Sequence, residues 1–193
     1  RDDTGPNTGG MGAICPVPGL HRELLKTIEE QIIAPTFEGI RSENLPYRGF
    51  LYFGLMITEN GPKLLEYNVR LGDPEAQVLL PLINSDFGNL MDAVVEQSLD
   101  KFPLQIDDIS AVGVVVASGG YPGPYTKGME VESLPESQNK KKYVFHASTK
   151  TNPAGEIITG GGRCFTAVGL HKEILEAQRV AYSLAEQVRF EGA

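Results

Sequence analysis

Residues 63–70 read Lys-Leu-Leu-Glu-Tyr-Asn-Val-Arg and alternate apolar with polar side chains from Leu65 onward. A period of two predicts a β-strand, because successive strand side chains point to opposite faces of the sheet. On this reading Leu65, Tyr67 and Val69 face a core, and Glu66, Asn68 and Arg70 share the other face. A carboxylate, an amide oxygen and a guanidinium then lie in a row. Hard oxygen donors in so small a number suit Mg²⁺, which completes its octahedron with phosphate oxygens and water. A guanidinium suits phosphate, through bidentate charge-assisted hydrogen bonds. The same alternation also describes an edge strand with a wet polar face. The next five residues favour a ligand site. Leu71-Gly72-Asp73-Pro74-Glu75 is a tight turn into a helix, with Asp73 as N-cap and Pro74 at the first helical position. The polar face thus ends at a helix start, which favours anions.

The upstream partner of this strand is legible too. Residues 47–58, Tyr-Arg-Gly-Phe-Leu-Tyr-Phe-Gly-Leu-Met-Ile-Thr, have strand composition, and Asn60-Gly61 is a hairpin turn signal. Residues 47–58 and 62–70 are expected to pair antiparallel. The loop has either two or three residues, and a slip of one would turn every side chain over.

A second ligand-like stretch lies at 3–12, Asp-Thr-Gly-Pro-Asn-Thr-Gly-Gly-Met-Gly. Four glycines and a proline in ten residues exclude a regular helix or a central strand. Glycines let backbone N–H groups come close to a ligand, and Asp3, Asn7 and Thr8 could orient it. The stretch lacks the Lys-Ser/Thr ending of a phosphate-binding P-loop and is not the dinucleotide fingerprint. An ordinary surface loop has the same composition.

The remaining pattern is scaffold. Residues 21–33 are an amphipathic helix, with Leu24, Leu25, Ile28, Ile32 and Ile33 inward, and Pro35 ends or kinks it or starts a second helix through Phe37 and Ile40. Residues 74–83 are a short apolar helix interrupted by Pro81. Ser85 or Asp86 caps the next helix, with Leu90, Met91, Val94 and Val95 inward. After Pro103 the texture changes. Residues 111–118 are a buried strand, and 119–128, Gly-Gly-Tyr-Pro-Gly-Pro-Tyr-Thr-Lys-Gly, form a second glycine- and proline-rich loop. Short strands follow near 129–134, 143–149, 156–159 and 163–168. A helix over 171–190 closes the chain, with Ile174, Leu175, Ala181, Leu184 and Val188 inward. The expected division is 1–105 and 106–193, the second part being small, antiparallel and covered by one helix. The fold class is α+β.

Composition bounds the function. At 41% hydrophobic residues the chain can bury a core. A net charge of −8 argues against nonspecific nucleic-acid binding and against attachment to anionic membranes. Cys15 and Cys164 are the only cysteines, giving neither a disulfide framework nor a metal spacing, and they read as reduced thiols of a cytosolic protein. His21 and His171 read as surface residues at helix starts, and His146 as a core or hydrogen-bonded residue. The run at 140–142 reads as a solvated loop. There is no initiator methionine, and the chain is expected to be part of a longer polypeptide.

The loop at 3–12 and the stretch Gly61-Pro-Lys-Leu-Leu-Glu-Tyr-Asn-Val-Arg-Leu-Gly-Asp-Pro-Glu75, in that order, resemble the glycinamide ribonucleotide synthetase family of the ATP-grasp superfamily. The resemblance runs through the whole chain, including 119–128, His146-Ala147 and Gly161-Gly-Arg163. It implies the second half of an ATP-grasp domain, an antiparallel sheet with helices, followed by a small β-rich C-terminal domain. It implies a carbon–nitrogen ligase of purine biosynthesis, joining glycine to 5-phosphoribosylamine through a glycyl phosphate, with ATP as co-substrate and Mg²⁺ or Mn²⁺. Carried over position by position, Glu66 and Asn68 match metal ligands and Arg70 an arginine facing the transferred phosphate. Asp3, Asn7, Thr8, Gly9, Gly10, Met11 and Gly12 match the loop of the acceptor-substrate site, and Gly72, Asp73, Pro74 and Glu75 complete the motif. Family members often carry Phe at the positions of Tyr67 and Leu71 and Cys at that of Val69. They also have an N-terminal domain and an adenine-holding lid and hinge with no counterpart here, and some are fused to later purine enzymes. Two rival readings are another ATP-grasp ligase, related to biotin carboxylase, and a non-catalytic fragment or module that is inactive without the missing half.

Overall fold

The computed structural model describes residues 5–136 and 141–193. Its contacts divide into two compact units that interleave along the chain: residues 1–15, 73–84 and 106–193 form one, and 16–72 with 85–105 form the other. These differ from the contiguous halves 1–105 and 106–193 expected from the sequence. The reason is a strand from the first half that joins the sheet of the second and a short helix that packs on it.

The first unit is built on a four-stranded antiparallel sheet. β1 (Gly12–Cys15), β4 (Ser110–Ala117), β9 (Arg163–His171) and β6 (Lys142–His146) lie in the order β1-β4-β9-β6. Gly12 pairs with Val114 and Cys15 with Ala111, so the glycine-rich loop runs straight into an edge strand. Residues 164–170 are buried without alternation, because both faces of the sheet are covered. On one face Val78 of α3 (Glu75–Leu79) and Leu82 pack with Ala111, Val168 and Leu170. On the other, Ala177 and Ala181 of α5 (Ile174–Ala185) pack with Val112. The expectation of a single covering helix therefore misses α3. Two small pairs complete the unit, β5 (Val131–Ser133) with β10 (Arg189–Phe190) and β7 (Thr149–Thr151) with β8 (Ile157–Thr159). The closing helix ends at Ala185, and Val188 and Phe190 reach the core as part of an extended tail. Leu175, expected inward, is 65% exposed. Cys164 is fully buried, and burial pushes the half-buried Cys15 thiol above its ordinary pKa.

The second unit holds a helical run and a hairpin. α1 (Arg22–Ile28) passes through a π-helical segment (Glu29–Ile33) into α2 (Ala34–Ser42). Pro35 does not end this run; it stands in the first turn of α2, which carries Phe37 and Ile40, as one of the expected alternatives has it. It lacks an N–H, and a π turn placed just before it changes the hydrogen-bond register at that point. Ile28 and Ile32 are buried, whereas Leu25 is exposed. α4 (Phe87–Glu96) is capped by Asp86, whose carboxylate accepts from the Asn89 N–H at 2.8 Å. Leu90 and Ala93 are buried and Val95 is not. β2 (Tyr52–Thr58) and β3 (Gly61–Asn68) form the expected hairpin, with Thr58 opposite Gly61 and so a two-residue loop.

The hairpin also corrects a face assignment. Gly54 opposes Glu66 and Leu55 opposes Leu64, which leaves Leu65 as an unpaired bulge residue. A bulge resets the alternation, and Leu65 is 62% exposed instead of buried. Val69 lies beyond the strand end and is 70% exposed. Tyr67 and Val69 line an apolar groove of about 390 Å³ with Thr36, Ile40, Leu45 and Leu51. The Tyr67 hydroxyl shares a hydrogen bond with Thr36 Oγ1 at 2.7 Å.

Candidate functional site

Two sets of predicted residues take shape, one in each unit. In the second unit, β3 carries Glu66 and Asn68 to its C-terminal end. The Asn68 amide N–H donates to Glu66 Oε1 at 2.8 Å, which places both side chains on one face as the alternation requires. The bulge at Leu65 lies before this pair and does not separate it. The bond uses the amide nitrogen of Asn68. Its carbonyl oxygen and the second Glu66 oxygen remain as acceptors, a hard donor set that fits Mg²⁺. Among the described residues no group of three or more His, Cys, Asp or Glu is placed to hold a metal. An ion on Glu66 and Asn68 would therefore need phosphate or water oxygens to complete its shell. Arg70 departs from expectation. The strand stops at Asn68, and the exposed guanidinium donates to the Leu71 carbonyl at 3.0 Å.

In the first unit, the glycine loop meets the Asp73 turn. Asp3 lies outside the described residues. Asn7 and Thr8 are exposed. Gly9 and Gly10 are held closely. A Cβ on Gly10 would stand 2.5 Å from the ring of Pro74, and one on Gly9 would stand 2.8 Å from the guanidinium carbon of Arg163. Only glycine allows this approach without displacing a neighbour. Met11 is 42% exposed, while its carbonyl accepts from the Val115 N–H at 3.0 Å, and Gly12 opens β1.

Asp73 is not the helix cap it was expected to be. The cap position of α3 is taken by Pro74, which follows a cis peptide bond, is fully buried and offers no side-chain cap. The Asp73 carboxylate is instead gripped from two sides. Gln77 Nε2 donates to Oδ1 at 2.9 Å, and Arg163 Nη2 lies 3.3 Å from Oδ2. Gln77 Oε1 has no partner and is the one such buried side-chain atom among the described residues. With five residues, α3 is too short for the anion-binding helix start inferred from sequence. Gly72 is buried, and Glu75 sits half-buried in the first turn of α3.

Arg163 and Tyr121 were not among the predicted site residues. Arg163 Nη1 donates to the carbonyls of Gly10 at 3.1 Å and Asp73 at 2.8 Å. The Gly9 N–H donates to the Tyr121 hydroxyl at 3.2 Å. Their only signal in the sequence is that both lie in stretches carrying the family resemblance. His146 takes no part in either set: it is exposed, hydrogen-bonded to Thr149 Oγ1 at 3.0 Å and packed on Phe165.

Comparison with known proteins identifies the family. Residues 1–76 match the family model for the phosphoribosylglycinamide synthetase ATP-grasp (A) domain, and residues 111–193 match that for its C domain. A phosphoribosylamine–glycine ligase of Caldanaerobacter subterraneus is 45% identical over 98% of this chain and 45% of its own length. The bovine trifunctional purine biosynthetic protein adenosine-3 is 44% identical over 99% of this chain and 19% of its own. The chain thus spans about half the length of the curated ligases it matches. The crystal structure of phosphoribosylamine–glycine ligase from Thermotoga maritima superposes with a TM-score of 0.81 at 41% identity, over 98% of this chain and 46% of that one. The biotin carboxylase domain of Hydrogenobacter thermophilus 2-oxoglutarate carboxylase, solved with MgADP and bicarbonate, matches with a TM-score of 0.62 at 14% identity, over 94% of this chain and 39% of that one, a likeness of fold alone. With two models of one family matched in order along most of its length, the chain belongs to the phosphoribosylglycinamide synthetase family of ATP-grasp proteins.

Proposed function

We propose that this chain contributes to an ATP-dependent ligase that joins glycine to 5-phosphoribosylamine, giving glycinamide ribonucleotide, ADP and phosphate. The observation that carries this reading is the Asn68–Glu66 oxygen pair, which lies inside the residues matched to the ATP-grasp model. In the proposed reaction a glycine carboxylate oxygen takes the γ-phosphoryl group of ATP, and ADP leaves. The amine of phosphoribosylamine then attacks the carbonyl carbon, the C–O bond to phosphate breaks and the amine loses a proton. A Mg²⁺ or Mn²⁺ ion on Glu66 and Asn68 would supply charge stabilisation to the phosphates. Arg70 is exposed, with a guanidinium able to pair with a phosphoryl oxygen in place of its contact with the Leu71 carbonyl. Asp3, Asn7, Thr8, Gly9, Gly10, Met11 and Gly12 are proposed to receive the phosphorylated pentose. Gly72, Asp73, Pro74 and Glu75 are proposed to belong to the same substrate-binding set, and Pro74 lies against Gly10 of the loop.

The activity is assigned to the longer polypeptide to which the relatives correspond, acting in the cytosol. Among the described residues no helix is long and apolar enough to cross a membrane. Fusion to further purine enzymes is proposed from the trifunctional name of the bovine relative. The test is Glu66→Ala in the complete polypeptide, with ADP release measured in the presence of glycine and phosphoribosylamine. Turnover is expected to fall at least about 100-fold with melting unchanged, as for loss of a charge-stabilising group in a transition state. A folded variant with normal turnover and normal Mg²⁺ dependence overturns the metal assignment. Covering about half of its ligase relatives also favours a second reading for these 193 residues by themselves, that of a non-catalytic module.

A further inference from the structure

The glycine loop is held in place by side chains more than a hundred residues away in sequence. Arg163, at the start of β9 and with its side chain 24% exposed, makes three contacts through one planar group: to the Gly10 carbonyl, the Asp73 carbonyl and the Asp73 carboxylate. Its guanidinium lies against the bare Cα of Gly9. The Tyr121 ring covers Gly162, one residue before Arg163, and the Tyr121 hydroxyl accepts from the Gly9 N–H. Both side chains lie within the first unit, as does the loop they hold. Arg163 and Tyr121 fall among the residues matched to the C domain, and the loop among those matched to the ATP-grasp domain.

A loop with this glycine content has a large conformational entropy, and a ligand that must order it binds more weakly for that reason. A planar fork bonded to two carbonyls and a carboxylate fixes two segments at once, whereas a lysine ammonium cannot reproduce that geometry. We propose that Arg163 and Tyr121 are positioning residues for the acceptor loop. They pre-order Gly9 and Gly10 so that the phosphorylated pentose amine meets a formed backbone surface. The C domain is then part of the substrate-binding machinery, acting through the loop without touching the reacting atoms. The inference rests on the functional reading above, in which this loop receives phosphoribosylamine.

The experiment uses the complete polypeptide with Arg163→Ala, Arg163→Lys and Tyr121→Phe. Phosphoribosylamine is generated in situ. For Arg163→Ala the KM for phosphoribosylamine is expected to rise at least about tenfold while that for ATP moves less than about twofold. Arg163→Lys should recover part of the loss, and Tyr121→Phe should shift the same constant in the same direction by a smaller factor. Amide hydrogen exchange across residues 9–12 should speed up in the alanine and phenylalanine variants, a readout independent of turnover. Equal shifts in both constants, or unchanged exchange across the loop in folded variants, overturn the proposal. If Arg163→Ala does not fold, Tyr121→Phe decides alone, since it removes one hydroxyl and no packing. An unsubstituted polypeptide that releases no ADP in response to both substrates rejects the functional reading itself. Normal turnover with indifferent variants rejects only the positioning role.

Discussion

Glu66 and Asn68 are two residues apart, and their neighbourhood follows from strand geometry alone, so a period-two pattern finds them. Arg163 stands 153 residues from Gly10 and 90 from Asp73, and no local pattern joins them. The glycine loop was legible as a place of close approach, but not what approaches it. Substitution at Gly10 tests that closeness. Gly10→Val would drive a branched Cβ into the buried Pro74 ring, so the loop must shift. The KM for phosphoribosylamine should rise at least about tenfold, with that for ATP nearly constant. An equal rise in both would mean that the whole unit has rearranged. The thiols give a simpler check. Cys164 is fully buried and out of reach of a reagent, and burial raises the Cys15 pKa, so its reactive thiolate is scarce near neutral pH. Alkylation at pH 8 should be slower at both than for free cysteine, and should become fast only on unfolding. Rapid labelling of Cys164 in the native state would contradict the packing around β9.

At the scale of elements, the hairpin separates what sequence can reveal from what it cannot. Its turn was readable from Asn60-Gly61, and its pairing from two adjacent strand-like runs. The bulge at Leu65 was not, because the apolar–polar pattern of the sequence runs on unchanged through an inserted residue that resets which face each side chain meets. Likewise the π segment ahead of Pro35 is a register change that an apolar stripe does not report. β1 was hidden by the composition of the loop before it, since Gly12 pairs through its backbone alone. β4 was legible because a continuous apolar run predicts a strand covered on both faces. These readings make opposite predictions for two leucines. Leu170, 2% exposed on β9, should cost about 2–5 kcal/mol as Leu170→Ala. Leu65→Ala, on an exposed bulge, should stay within about 0.5 kcal/mol. Urea melts of the two variants decide between the bulged hairpin and the regular strand that the sequence suggests.

At the scale of the molecule, the interleaved units place the glycine loop, the Asp73 turn and Arg163 in one unit and the Glu66–Asn68 pair in the other. The chain spans about half the length of its curated ligase relatives, so the reaction is assigned to the longer polypeptide. An acyl phosphate must be kept from water until the amine attacks. Positioning of two substrates can account for about 7–11 kcal/mol of a barrier. The 193 residues alone should therefore bind without turning over, and the complete polypeptide should ligate. In the proposed reaction a glycine carboxylate oxygen passes to phosphate. Glycine labelled with ¹⁸O in its carboxylate, supplied to the complete polypeptide with ATP and phosphoribosylamine, tests it directly by mass spectrometry of the released phosphate. One labelled oxygen is expected in each phosphate formed, matched to glycinamide ribonucleotide produced. Unlabelled phosphate accompanying that product would contradict it.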